Sequence, residues 1–163
     1  MKTLELKDFL KYRFLSDINY APNGKKAAFV VSESNEKDNC YKQSIWLWEQ
    51  SGCKRMTGLG AESSYIWEDE EHILFQAVRT KQERERCEKK EAFTCYYRLD
   101  IRGGEAQKAF ELPFKVTKLM RIDKDIYAAL GEIDYKFPDY YKMTEKEKED
   151  VSSYYKEEED YRV

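Results

Sequence analysis

The sequence is poor in histidine, proline and glycine, and it has no long apolar run. His72 is the single histidine among 163 residues, beside four cysteines at positions 40, 53, 87 and 95. Zinc sites rest on close Cys or His pairs, and no Cys-x-x-Cys spacing occurs. The cysteines are therefore expected to be reduced thiols of a cytoplasmic protein, with no metal and no cofactor. No apolar stretch approaches the roughly 18 residues of a spanning helix. Lys2, Glu5, Lys7, Asp8 and Lys11 interrupt the first apolar residues, so neither a membrane span nor a signal-peptide core is expected. Neither sign of charge dominates: 29 Lys and Arg stand against 32 Asp and Glu, a net charge of −3. That balance supplies no global field to recruit nucleic acid.

What is abundant is aromatic. Hydrophobic residues make up 41% and charged residues 37%, a polar mixture for a globular chain, but aromatics reach 15%. Tyr, Phe and Trp then supply core area that a disordered chain would lack. The length suits one compact domain.

The pattern of these residues changes early. Leu6, Phe9 and Leu10 fall at helical spacing with charges between them, which predicts a short amphipathic helix over residues 4–12. From residue 13 the apolar period shortens to two. Residues 15–20 form a half-buried run, followed by the turn Ala21-Pro22-Asn23-Gly24, where Pro pre-sets φ and Gly accepts a positive one. Residues 25–31 predict a strand that ends in the polar stretch 32–39; residues 44–49 predict a third, and residues 54–57 a short fourth after the turn at 50–53.

The same order then recurs. Residues 64–67 precede the acidic turn 68–71, residues 72–77 take the place of 27–31, and residues 95–100 take the place of 44–49. Arg102-Gly103-Gly104 is the next turn, and residues 106–110 close the unit. A third round opens at 116–119, with 125–130 as its second strand. Phe29 and Phe75 stand 46 positions apart. A four-stranded unit repeating about every 40–50 residues is the signature of a propeller blade, because each small sheet has two faces to bury and stacks on its neighbours to do so. The expected fold is all-β: a partial β-propeller of about three four-stranded antiparallel blades. Its divisions are a helical segment 1–12, a first blade at 13–58, a second at 61–112 and the start of a third at 114–163.

Two charged stretches interrupt the strands. Residues 79–91 alternate in sign, with Glu85 four positions before Lys89, and are expected to be a solvated excursion. Residues 134–160 are rich in Tyr, Lys and Glu. Thr144-x-x-Glu147 has the form of a capping box and predicts a short helix, followed by the acidic run 157–160. Tyr140, Tyr141, Tyr154 and Tyr155 either pack on a blade or contact peptides at an entrance.

Three stretches carry a family resemblance: Phe14-Leu15-Ser16-Asp17, Tyr20-Ala21-Pro22-Asn23-Gly24-Lys25-Lys26-Ala27-Ala28-Phe29-Val30, and Leu99-Asp100-Ile101-Arg102-Gly103-Gly104-Glu105-Ala106. Together they resemble the amino-terminal propeller of prolyl-oligopeptidase-family serine peptidases, in the acylaminoacyl-peptidase and dipeptidyl-aminopeptidase branch. Ala21 and Asn23 replace that branch's usual Ser and Asp, and residues 68–71 keep only the acidic character of the turn. The resemblance implies a propeller that limits peptide access to a carboxy-terminal α/β-hydrolase domain bearing a Ser-Asp-His triad. That domain's Gly-x-Ser-x-Gly elbow needs glycines beside the nucleophile. None of the seven glycines, at 24, 52, 58, 60, 103, 104 and 131, flanks a serine in that way.

No catalytic residue is therefore assigned to this chain, and His72 is read as structural. The expected partners are the hydrolase domain and remaining blades of a longer parent, peptides, and a second copy through the open blade face. A stand-alone propeller that docks other proteins is the alternative.

Overall fold

Alternation becomes strand from Arg13 onward, and the strands come in two sets of four. The computed structural model describes residues 5–133 and 136–160. In the first set, β1 (Arg13–Tyr20), β2 (Ala27–Asn35), β3 (Cys40–Glu49) and β4 (Gly52–Arg55) form an antiparallel sheet in sequential order. The second repeats that order with β5 (Tyr65–Trp67), β6 (His72–Gln76), β7 (Thr94–Asp100) and β8 (Gln107–Leu112). A third unit contributes a two-stranded hairpin, β9 (Lys115–Asp123) and β10 (Ile126–Glu132). Among the described residues there are two α-helices, α1 (Lys81–Glu88), set between β6 and β7, and α2 (Glu145–Asp160). The molecule is mostly β and antiparallel, and its sheets do not close on themselves. No helix among the described residues is long and apolar enough to cross a membrane.

The two sheets share register as well as order. Phe29 lies opposite Trp46 in the first, and Phe75 lies opposite Tyr97 in the second. Gly24, at φ +68°, closes the β1–β2 turn by donating from its N–H to the Ala21 carbonyl at 2.8 Å.

Local differences from the sequence reading have clear causes. The β2–β3 ladder continues from Ala27↔Trp48 to Asn35↔Cys40, so the polar residues after Val31 stay extended. Pairing holds them there, with Glu33 directly opposite Lys42. The amino-terminal helix is a 3-10 turn at Leu6–Lys11, fastened where Asp8 accepts from the Glu5 N–H at 3.0 Å and from Lys11 Nζ at 2.6 Å. Residues 1–4 lie outside the described residues, and with them the predicted start of that helix. The third unit contributes the two strands expected at its start, and after β10 the chain turns into helical structure. That helix, α2, starts at the expected box, the Thr144 N–H donating to Glu147 Oε2 at 2.7 Å. It runs on through the acidic positions 157–160 instead of ending before them.

The three units stack in series. Ala28, Val30, Ile45 and Leu47 of the first sheet meet Tyr65, Ile73, Phe75, Tyr97 and Leu99 of the second in one core. The opposite side of the second sheet, through Leu74 and Tyr96, meets Val116, Leu119 and Tyr127 of the hairpin. Only the second sheet is covered on both faces.

Charged tethers join the layers. Glu68, 5% exposed at the end of β5, is held by two guanidinium nitrogens of Arg98 and accepts from the Tyr127 hydroxyl at 2.6 Å. Burial alone would raise its carboxyl; Arg98 and Tyr127 outweigh that and hold it below the ordinary glutamate value. Residues 79–91 are a folded excursion with a charged anchor. Thr80 caps α1, accepting from the Glu83 N–H at 3.1 Å, and the Glu83 side chain returns the bond. Glu83 is 3% exposed and also accepts from the Tyr97 hydroxyl and Lys108 Nζ. Glu85 pairs with Lys81, not with Lys89.

Two predictions follow from these tethers. Tyr127→Phe leaves a shape-matched ring but removes the bond to Glu68. It should destabilise the chain by about 1–2 kcal/mol in urea unfolding and speed amide exchange in β9 and β10 before β6 and β7. Glu83 is held at about 2, against 4.5 when free: burial pushes upward, and its backbone, Tyr97 and Lys108 donors win. Its stabilising contribution is therefore complete above 4.5 and is lost as pH falls toward 2. Glu83→Gln should lower stability at neutral pH and flatten the acid limb of a pH-dependent melting curve.

Candidate functional site

The first strand of each unit pairs on one side only, and the three first strands, β1, β5 and β9, converge on a cleft. Its volume is about 710 Å³. Asp17, Asn19 and Tyr20 form one wall, Tyr65, Ile66 and Trp67 the next, and Lys118, Met120 and Arg121 the third. Gln76 and Tyr96 reach it from the second strand pair.

A β-bulge shapes the first wall. The β1–β2 register shifts between Ser16 and Asn19, and Asp17 sits at φ +51°, a region that Asp tolerates better than most residues. The Tyr65 hydroxyl crosses from the second sheet to hold this shape. It lies 2.8 Å from the Asp17 carbonyl and 2.5 Å from the Ala28 carbonyl, and accepts from the Asn19 N–H at 3.2 Å. Burial pushes its pKa up to about 12. Trp67 Nε1 donates to the Asn19 carbonyl at 3.1 Å, and Asn19 Nδ2 donates to Asp17 Oδ1 at 2.9 Å. On the far side Gln76 Nε2 donates to the Tyr96 hydroxyl at 2.8 Å and to the Val116 carbonyl at 3.1 Å. The cleft is thus an aromatic surface with a carboxylate on one wall and two cations, Lys118 and Arg121, on another. The Arg121 guanidinium is aimed by the carbonyls of Asp123 and Lys124, each 3.1 Å away. Such a lining suits binding of a polar, extended molecule.

His72 opens β6 and does not line the cleft. Its Nδ1 lies 2.9 Å from Asp69 Oδ2, while Asp69 Oδ1 accepts from the backbone N–H groups of Glu71 and His72. Both residues therefore brace the β5–β6 turn. The four cysteines are free thiols; Cys40, Cys53 and Cys87 are exposed and Cys95 is buried.

Of the tyrosines singled out in the sequence, Tyr140 and Tyr154 lie away from this cleft. Tyr140 lines a separate apolar cavity of about 250 Å³ with Phe114, Phe137, Pro138 and Val151. Tyr154 stacks edge-on against Phe137 at 5.7 Å and accepts from Lys136 Nζ at 3.0 Å. The side chains of Tyr141 and Tyr155 lie outside the described residues. The cleft residues escaped the sequence reading because a bulge has no compositional signal. Tyr65 and Trp67 were visible only as strand aromatics.

The fold thus defines a mostly β protein built from stacked antiparallel sheets. No protein-family model matches the chain. Over 107 residues it is 28% identical to a protein of Bacillus subtilis (strain 168) described as "Uncharacterized peptidase YuxL". The match covers 64% of this chain and 15% of that protein, so the chain corresponds to a small part of its relative's length.

Tyr65→Phe tests the bulge. The ring still fills its place, but two carbonyls and one N–H lose a shared partner. Urea unfolding should show a loss of about 1–3 kcal/mol, with faster amide exchange at Asn19 than in β6.

Proposed function

We propose that this chain is the non-catalytic propeller portion of a serine peptidase of the prolyl-oligopeptidase type, limiting which peptides reach a catalytic domain outside it. One observation carries the reading: two four-stranded sheets of the same order and register stack face on face, with their first strands turned toward a common cleft. Radial repetition of such units surrounds a channel with first strands, and the channel's width then selects by size. The similarity to a peptidase of Bacillus subtilis supports the same direction. In this reading the cleft is a sector of the channel wall, and its mixed charge and aromatic lining contact the peptide in transit. Tyr140, Tyr141, Tyr154 and Tyr155 belong to an arm that contacts peptides nearer the entrance. Four unpaired thiols, three of them exposed, suit a reducing, cytoplasmic setting.

The chain itself should leave peptidyl-anilide substrates intact. Captured from its natural source with an antibody against residues 13–112, the parent protein should hydrolyse them and take a fluorophosphonate label at a serine outside this sequence. Capture of a parent that neither hydrolyses nor takes the label would overturn the peptidase reading in favour of a propeller that docks other proteins.

A further inference from the structure

We propose that a groove at one end of the stack seats the carboxy-terminal residue of a peptide, with an apolar side chain in its cavity and the α-carboxylate against Lys89, Lys90 and the Tyr140 hydroxyl. That the occupant is a peptide rests on the reading above; the groove itself does not.

The groove is made by connections, not by an open sheet face. After the second strand of the first unit the chain turns back within residues 36–39. The same connection is long in the next two units: residues 77–93 carry α1, and the residues from 133 onward carry α2. Thr94 pairs with Leu112, and Lys115 with Glu132. Both long connections, and the β8–β9 link at Pro113 and Phe114, therefore leave the sheets at the same end. A further unit stacked on either outer sheet face lies beside this end and not over it. Loops positioned by a rigid scaffold in this way are common carriers of binding residues.

Two cavities meet there. One, of about 250 Å³, is apolar, with Phe114, Phe137 and Val151 in its lining. A cavity of about 150 Å³ holds a benzene ring, so this one admits a leucine or phenylalanine side chain. The other, of about 430 Å³, has Arg86, Lys89, Lys90 and Lys148 in its lining beside Glu91 and Glu149. Ala92, Pro113, Tyr140 and Ser152 line both, which makes them one groove with an apolar and a cationic part. Arg86 is committed to Glu91 and Glu111, each at 2.7 Å. Lys89 and Lys90 have no ion-pair partner among the described residues. Tyr140 stands half-buried at the seam, and its hydroxyl has no hydrogen-bond partner among them either. Two ammonium groups and a phenol O–H are the donors a carboxylate takes in charge-assisted bonds. A peptide's last residue bears its side chain and its carboxylate on one carbon, which is the spacing that a shared wall at Tyr140 requires.

Titration of the isotope-labelled chain with acetyl-Ala-Ala-Leu, followed by amide shifts, tests this. The free acid should bind saturably and move Ala92, Phe114 and Tyr140. Its carboxamide should bind at least about 10-fold more weakly, because the charge-assisted bonds are lost. Acetyl-Ala-Ala-Ser should also lose about 10-fold, since the apolar cavity stays unfilled. Lys89→Gln combined with Lys90→Gln should abolish the preference for acid over amide and leave amide binding as it was. Tyr140→Phe should weaken the acid about 3–10-fold. Equal binding of acid and amide, no saturable binding, or shifts confined to the Lys118 and Arg121 wall of the cleft would each overturn the proposal. Octanoate bound as tightly as the peptide acid would overturn the peptide as occupant in favour of a free fatty acid. The titration uses this chain alone, whereas the peptidase reading turns on the label taken by the parent, so the loss of one leaves the other standing.

Discussion

A small antiparallel sheet rich in aromatics has apolar side chains on both of its faces, and water is excluded from both only if something lies on each side. That requirement organises this molecule. The β5–β8 sheet meets it through the β1–β4 sheet on one side and the β9–β10 hairpin on the other. Phe75 and Leu74, adjacent in one strand, are both fully buried, and each belongs to a different core. Because side chains alternate across a strand, neither core can form without fixing the other. The cleft follows from the same stacking, which sets three first strands side by side with one flank unpaired.

Buried polar groups fix the segments around the layers. Glu62, Glu68 and Glu83 are all buried, and each carboxylate is satisfied differently. Glu62 accepts from the backbone N–H groups of Leu59 and Gly60 in the segment between the two sheets. Glu68 takes a guanidinium and a phenol, and Glu83 takes backbone, phenol and ammonium donors. A buried acid that loses its donors is costly, so each fixes its own surroundings, and Glu68 alone of the three, through Tyr127, also ties one layer to the next. Tyr65 has the neutral version of this role, with a single hydroxyl that touches both strands of the β1–β2 pair.

Strand order and the repeat were legible in the sequence because alternation and turn residues recur at matching intervals. Phe29 and Phe75 were correctly read as equivalents, and Ala21 to Gly24 as a turn. Local periodicity failed where pairing or tertiary contact decides. Residues 32–35 look like loop by composition, yet the facing strand keeps them extended. Residues 79–91 look fully solvated, yet Glu83 reaches into the sheet; the Thr80-x-x-Glu83 spacing was the available signal. The bulge at Asp17 could not be read at all, since it depends on a hydroxyl 48 positions away.

The direction of the stack has an evolutionary consequence. An in-frame duplication of one whole unit would add one more junction of the existing kind. A single-residue insertion in β2 would do the reverse, turning Ala28 and Val30 outward and exchanging the surfaces that recognise each other. Lineages carrying such a module can therefore change its copy number far more readily than its internal phase.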